Sequence, residues 1–375
     1  MAALTASRPL APARPRTRQR AVALRDFGPN WYATVMGTSI VANAAAAIPG
    51  GPHWLLAAGA GVWALAAVML VAVLAARAAH WARHADQARR HLLDPAVAPF
   101  YGCLPMALLS VGASALSVGP RLVGAHAALM VDAALWPAGA AASVLVAVVV
   151  PYLMVARYRI GPHDASPVWL LPVVGPMVAA ATGPALVGRL PSGAGQAREA
   201  LLLGCAAMFG MSLLATLMML PLVWARLVRA GLPLALTPTL FLVLGPLGQS
   251  TTAAGGFADA APSALPGRYA AAFDGFAVLY GVPVMGFALL WLAVCAALVV
   301  RAARGGMRFS MTWWAFTFPV GTCVTGAANL ARHTGLHALT WLAVGLYVLL
   351  AAAWLTAGSY TLRDVLAGRT EAVNG

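Results

Sequence analysis

Apolar runs of 18 or more residues recur along the whole chain, each long enough to cross a bilayer as a helix. Ten can be delimited: Trp31–Ile48, Trp54–Ala76, Ala98–Val118, His126–Val155, Val168–Val187, Ala200–Trp224, Pro238–Ala258, Ala272–Val300, Thr312–Leu330 and Ala338–Ser359. A water-soluble fold of 375 residues could not clothe its surface when only 9% of them are charged and 61% are hydrophobic. The sequence therefore predicts an all-α integral membrane protein with ten transmembrane helices.

The net charge of +14 comes from 24 arginines against 10 acids, with no lysine. In a polytopic chain such an excess reports topology, and no nucleic-acid partner is expected. Ten spans put both termini on one side. That side carries 19 arginines, including Arg77, Arg83, Arg89, Arg226 and Arg301, and the other carries Arg121, Arg189, Arg198, Arg268 and Arg332. By the positive-inside rule both termini are cytoplasmic, in a multi-pass protein of the cell's inner (plasma) membrane. The expected organisation is a disordered, Pro- and Arg-rich tail over 1–26, a transmembrane domain over 27–362, and a short cytoplasmic tail over 363–375. The first segment lacks the apolar stretch of a signal peptide and reads as a basic tail attracted to anionic headgroups.

The odd-numbered spans share a lead-in: a Pro or small residue, bulky or aromatic residues, then a Gly or Pro. The stretches are PNWYATVMG (Pro29–Gly37), PFYGCLP (Pro99–Pro105), PVWLLPVVGP (Pro167–Pro176), PTLFLVLGP (Pro238–Pro246) and SMTWWAFTFP (Ser310–Pro319). Their break residues, Gly37, Pro105, Pro176, Pro246 and Pro319, are 68, 71, 70 and 73 positions apart. This predicts five helical hairpins in parallel around an axis normal to the membrane, the odd helices enclosing a central path and kinked near mid-membrane at the breaks. One position before each break stand Met36, Leu104, Gly175, Gly245 and Phe318; a single aromatic ring faces two glycines and can project into the path. Six positions beyond are Asn43, Val111, Thr182, Thr252 and Thr325, four of which offer hydrogen-bond donors that hold an anion without trapping it.

FGPNWYATVMGTSIVA (Phe27–Ala42), GPLGQS (Gly245–Ser250) and WWAFTFPVGT (Trp313–Thr322) resemble the tellurite-resistance/dicarboxylate transporter family, over about Phe27 to Leu362. That family includes plant guard-cell slow anion channels, fungal malate permeases and sulfite efflux pumps. The resemblance implies ten helices in five quasi-symmetric hairpins around a pore, assembled as a homotrimer. It also implies that Phe318, the Phe of the TFP motif, occludes the pore. Met177 becomes a candidate constriction, although some relatives carry Phe there.

No acid or base falls at the middle of an inner helix. Asp132 and Asp274 lie within about two turns of outer helix ends, and Glu199 and Asp259 at such ends, which argues against a carboxylate relay and a cation-selective acidic ring. His80, His84 and His91 share a cytoplasmic loop with Arg83 and Arg89; without a third ligand they read as a solvated basic face. Cys103, Cys205, Cys295 and Cys323 lack metal-type spacing and read as small core residues. No metal and no cofactor is expected. Convergent nucleophile, base or ligand groups are missing, so the chain does not read as an enzyme. The functional expectation is transport of a small anion (sulfite, a C4-dicarboxylate such as malate, or a related oxyanion) through a pore gated by Phe318, with a proton-coupled carrier as the alternative.

Overall fold

The computed structural model describes residues 24–161, 164–191 and 193–367. The tail over 1–23 and the last residues, 368–375, lie outside the described residues. The rest is helical, with no strand among the described residues. The helices are α1 (Tyr32–Ala47), α2 (His53–Arg83), α3 (Ala85–Leu93), α4 (Cys103–Ser117), α5 (Pro120–Val123), α6 (Ala125–Ala156), α7 (Leu170–Thr182), α8 (Pro184–Val187), α9 (Gly195–Ala230), α10 (Leu244–Ala264), α11 (Gly267–Arg304), α12 (Phe318–Thr334) and α13 (His337–Leu366). Each stretch read as a span is helical. α13 continues past Leu362, so the expected C-terminal tail begins as helix.

The recurrent lead-ins have a local structural meaning. Pro29–Trp31, Ala98–Gly102, Pro167–Trp169, Leu234–Val243 and Met311–Phe316 are all 3₁₀ turns, leading into α1, α4, α7, α10 and α12 respectively. Proline at the start of such a turn presets φ and removes an N–H that would have no partner. The breaks differ from the mid-membrane kinks expected. Pro105, Pro246 and Pro319 occupy the first turn of their α-helices, just after the 3₁₀ turn, and Pro176 is the one break proline in a helix interior. A first-turn proline costs no intrahelical hydrogen bond, so the chain changes helix type there and need not bend.

Two kinds of helix result. α2, α6, α9, α11 and α13 have 31, 32, 36, 38 and 30 residues, longer than the roughly 20 that a bilayer core needs. They expose apolar side chains such as Val68, Leu145, Met218, Leu279 and Val348. α1, α4, α7, α10 and α12 are shorter and mostly buried. They touch one another in a closed cycle: α1 on α4, α4 on α7, α7 on α10, α10 on α12, and α12 back on α1. Indoles on the long helices tie the cycle: Trp63 donates to the Val111 carbonyl (3.2 Å), Trp136 to Ala179 (3.1 Å), Trp291 to Leu240 (3.0 Å) and Trp354 to the Thr38 hydroxyl (3.1 Å). The last bond joins the end of the chain to its beginning.

Among the described residues, seven helical segments are long and apolar enough to cross a membrane: 53–83, 98–117, 125–156, 167–187, 195–230, 267–304 and 337–366. The chain is an all-helical, multi-pass membrane protein. α1, α10 and α12 are helical but richer in Gly, Ser, Thr and Asn, as suits helices packed against protein on every side.

Candidate functional site

All five short helices contribute to one narrow, apolar cavity. Its walls are Met36 (α1), Met106 (α4), Leu170, Leu171 and Val174 (α7), Gly245 with Leu242 beside it (α10), and Phe318 and Pro319 (α12). About 10 Å³ is left inside, space for roughly one water molecule. Phe318, 2% exposed, is the first residue of α12. Its direction is set from behind. The Thr317 hydroxyl donates to the Trp314 carbonyl (2.7 Å), and the Trp314 indole donates to Thr361 Oγ1 on α13 (2.9 Å). Gly245 is buried, yet nothing lies within 4 Å of the Cβ it lacks.

Several residues read as pore-lining sit elsewhere. Leu104 and Gly175 do not border this cavity: a Cβ on Gly175 would meet Ser143 at 2.9 Å and Pro105 at 3.6 Å, so it packs outward, and Val174 and Met106 take the inward positions. Gly37 faces Thr317 and Trp314, which a Cβ would overlap. Met177 is wholly buried in a separate cluster with Leu202, Cys205, Phe209 and Phe257, on the side of α7 turned to α9 and α10. Aligning on proline misplaced the second and third repeats. Cavity residues 36, 106, 174, 245 and 318 have partly exposed counterparts seven positions on, at Asn43, Ala113, Ala181, Thr252 and Thr325. Seven residues is two helical turns, which returns to the same face. Val111, expected in this layer, is buried.

The hydroxyls of Thr252 and Thr325 bond each other across α10 and α12 at 2.8 Å, and each also reaches its own helix, at Gly248 O and Thr322 O (both 2.9 Å). Asn43 Nδ2 donates to Ser110 O on α4 (3.0 Å), and Thr182 donates to Val178 O (2.9 Å). Beyond Thr252 opens a vestibule of about 390 Å³ between α7–α8, α10 and α12, bordered by Pro184, Gly188, Gly256, Asp259, Ser263, Asn329 and Arg332. It lies at the far end of the bundle, away from Leu24 and the end of α13.

Two features eluded sequence reading. Asp132, which does lie about two turns from the start of α6, is 0% exposed between α6 and α4, and neither carboxyl oxygen has a hydrogen-bond partner among the described residues. Gly112 makes room for it. Nor do His80 and His91 belong to a solvated face, though Arg83 and Arg89 are exposed. His80 is wholly buried with Nδ1 2.8 Å from Leu24 O, and His91 stacks on it with ring centroids 5.3 Å apart. Arg77 beside them donates to Phe27 O (2.6 Å) and Tyr101 Oη (3.0 Å). The Leu24–Phe27 segment folds over the end of α2 and covers this cluster. Burial, then the charge of Arg77 and the neighbouring His80, push the His91 pKa below its usual value. All four cysteines are buried and unpaired. Asp274 is largely exposed, 3.6 Å from His333 Nδ1.

A multi-pass helical bundle whose short inner helices share a narrow apolar cavity, with a polar vestibule at one end, has the form of a transport protein. The family model of the voltage-dependent anion channels (SLAC1) matches residues 26–362. The chain belongs to that family: it transports anions and is not an enzyme. Over 335 residues, 85% of each chain, it is 26% identical to the sulfite efflux pump SSU1 of Trichophyton rubrum. It is 25% identical to the sulfite efflux pump SSU1 of Arthroderma otae over 364 residues, 92% of this chain and 93% of the relative. An uncharacterized transporter of Methanocaldococcus jannaschii is 24% identical over 347 residues, 92% and 95% of the two chains.

Proposed function

We propose that the chain moves a small oxyanion, sulfite or a C4-dicarboxylate such as malate, along the axis enclosed by α1, α4, α7, α10 and α12, and that Phe318 closes this path. The observation that carries the reading is the convergence of five helices on one narrow apolar cavity lined by the Phe318 ring. A space for about one water, walled by Met and Leu, cannot pass a hydrated anion, and an apolar constriction of that width also dewets. The proposal takes the helices as ten spans in five quasi-symmetric hairpins; the closed cycle of contacts, the five 3₁₀ lead-ins and the seven-residue relation support it. The arginine split supports cytoplasmic termini in the plasma (inner) membrane, with the vestibule on the outer side. Assembly as a homotrimer rests on the family resemblance. Sulfite is favoured among substrates because the two fungal relatives carry that name over nearly the full chain.

The test is anion flux in proteoliposomes with sulfite, malate, nitrate and chloride at two pH values. Phe318→Ala is expected to raise basal flux. A stable, inserted Phe318→Ala protein with unchanged or lower flux would count against the gate. A second reading, a proton-coupled carrier, is favoured by one observation, the buried and unpartnered Asp132 carboxyl. A pH gradient that drives sulfite uphill in the wild type, and fails to do so in Asp132→Asn, would select that reading.

A further inference from the structure

We propose that the far-end vestibule is an oxyanion-binding site, anchored on Arg332, and that Asp259 occupies this anchor as a built-in competitor. The inference rests on the reading that anions travel the axial path, and it adds where they dock. The cavity has about 390 Å³, ample for a small oxyanion with part of its hydration shell.

Arg332 is held through one nitrogen. Its Nη2 donates to Asp259 Oδ2 (3.2 Å) and to Asn329 Oδ1 (3.2 Å). Nη1 and Nε make no hydrogen bond to the described residues, and the side chain is 53% exposed at the cavity wall. The pair with Asp259 is therefore monodentate and half solvated, a kind of ion pair that contributes little and exchanges readily. Asn329 is the fixed part. It is 5% exposed, its Nδ2 donates to Thr252 O (3.1 Å), and a side chain on Gly255 would collide with its amide. Asn329 thus couples the anchor to the helix that carries the Thr252 hydroxyl, seven residues along α10 from the cavity residue Gly245.

Asp259 has somewhere else to go. Its Oδ1 lies 3.4 Å from His333 Nε2, and His333 is mostly buried, 3.6 Å from Asp274. A ligand that takes the guanidinium leaves Asp259 with this second partner. The Asp259 carboxylate, itself an oxyanion, shows which chemistry the anchor accepts. A guanidinium edge offers two parallel N–H donors, matched by two oxygens of a carboxylate or of sulfite; a halide can use only the charge.

The experiment is equilibrium titration of the detergent-solubilised protein with sulfite, and separately with chloride. Arg332→Gln is expected to weaken sulfite binding about tenfold. Arg332→Lys, which keeps the charge and loses the fork, is expected to lose nearly as much for sulfite and little for chloride. Asp259→Asn, which removes the competitor, is expected to tighten sulfite binding several-fold. The proposal is overturned if sulfite binding is absent in the wild type, if both Arg332 variants match the wild type, or if Asp259→Asn weakens binding as Arg332→Gln does. Because binding is read without transport, this outcome is separate from the flux assay: unaltered binding in the variants alongside raised flux in Phe318→Ala sinks the vestibule site and leaves the axial path standing.

Discussion

Gly245 and Phe318 face one cavity from adjacent helices, and the space that a Gly245 side chain would fill is empty. The ring is braced at its base and meets no side chain from position 245. The gate proposed above draws on this asymmetry: Thr317 and Trp314 fix the base of the ring, and the glycine leaves open space at position 245. Phe318→Ala should open the path, and Phe318→Ala combined with Gly245→Leu should close it again by filling the same space from α10. Phe316→Ala should leave conductance near the wild type, because Phe316 packs edge-on against Phe241 (4.9 Å) and does not line the cavity. Flux in proteoliposomes checks all three, and a double variant that conducts like Phe318→Ala would refute the opposed geometry.

How much of this was legible in the sequence follows from what each signal measures. Hydropathy marks every helix, because burial in lipid or in protein demands apolar side chains either way. It separates the two classes poorly: α10 and α12 read as spans from their bulk, yet their Thr, Asn and Gly content belongs to protein-facing helices. The spacing of break residues located the five lead-ins and put Met36, Gly245 and Phe318 on the cavity. It mislaid Leu104 and Gly175 because the break proline does not sit at a fixed distance from the cavity: Pro105 is in the first turn of α4, one residue before the cavity residue Met106, whereas Pro176 is inside α7, two residues after Val174. The burial of Asp132 and of the His80–His91 pair escaped notice for another reason. Their burial depends on a neighbouring helix and on the Leu24–Phe27 segment, which no local pattern announces.

Gly37 and Gly245 should respond in opposite ways to the same substitution. Gly37→Ala puts a methyl onto Thr317 and Trp314, the residues that orient Phe318, with the Trp314 ring 2.8 Å from the added atom. Overpacking of this kind costs about 1–3 kcal/mol, and the melting temperature should fall. Gly245→Ala adds the same methyl to open space, so its melting temperature should change little. Thermal unfolding of the two variants in one detergent decides the matter; equal losses would mean that the cavity is not open at Gly245.

The Thr252–Thr325 pair spans α10 and α12 two helical turns beyond Gly245 and Phe318, and its hydroxyls also satisfy their own helices. Replacing either Thr with Val keeps shape and removes a polar group at a partly exposed site. Each variant should fold, with a stability loss of about 1 kcal/mol for one hydrogen bond, and anion flux should drop in the Phe318→Ala background, where the plug no longer limits it. Thr182→Val should do less, since Thr182 bonds only within α7 and does not border the vestibule. Equal effects from all three would assign the loss to helix packing.

His91 gives a pH prediction with a definite sign. Its pKa in the folded protein lies below the usual 6.5, through burial first and then Arg77 and His80, while Asp26 and Asp94 act the other way. In the unfolded chain it titrates near 6.5. Below that value the unfolded state takes up a proton that the folded state resists, so unfolding is favoured as the pH falls from about 6.5 toward the lowered value. The contribution is fully present above 6.5. His91→Gln should flatten this part of the profile, and melting temperatures between pH 5 and 7.5 measure it. A variant that loses stability with acid as steeply as the wild type would place the titrating group elsewhere.

Asp132 makes the most direct demand on the energetics. A carboxyl with 0% exposure and no hydrogen-bond partner among the described residues is costly when ionised, because nothing nearby replaces the water it has lost. Of the helices packed on it, α4 carries one titratable side chain, Cys103, at its opposite end, α7 carries none, and the charged group that acts on the carboxyl is Arg189, beyond α8. Asparagine has nearly the same shape and no charge. Asp132→Asn should therefore melt at or above the wild-type temperature, whereas Gly112→Ala, whose methyl would strike the carboxyl, should melt lower. The same pair tests the state of the acid. A carbonyl stretch from a protonated carboxyl should appear in the infrared spectrum of the wild type and vanish in Asp132→Asn. Unfolding of the Asn variant, with no such band in the wild type, would show that Asp132 is ionised and held by a partner that its neighbours on α4 and α6 do not supply.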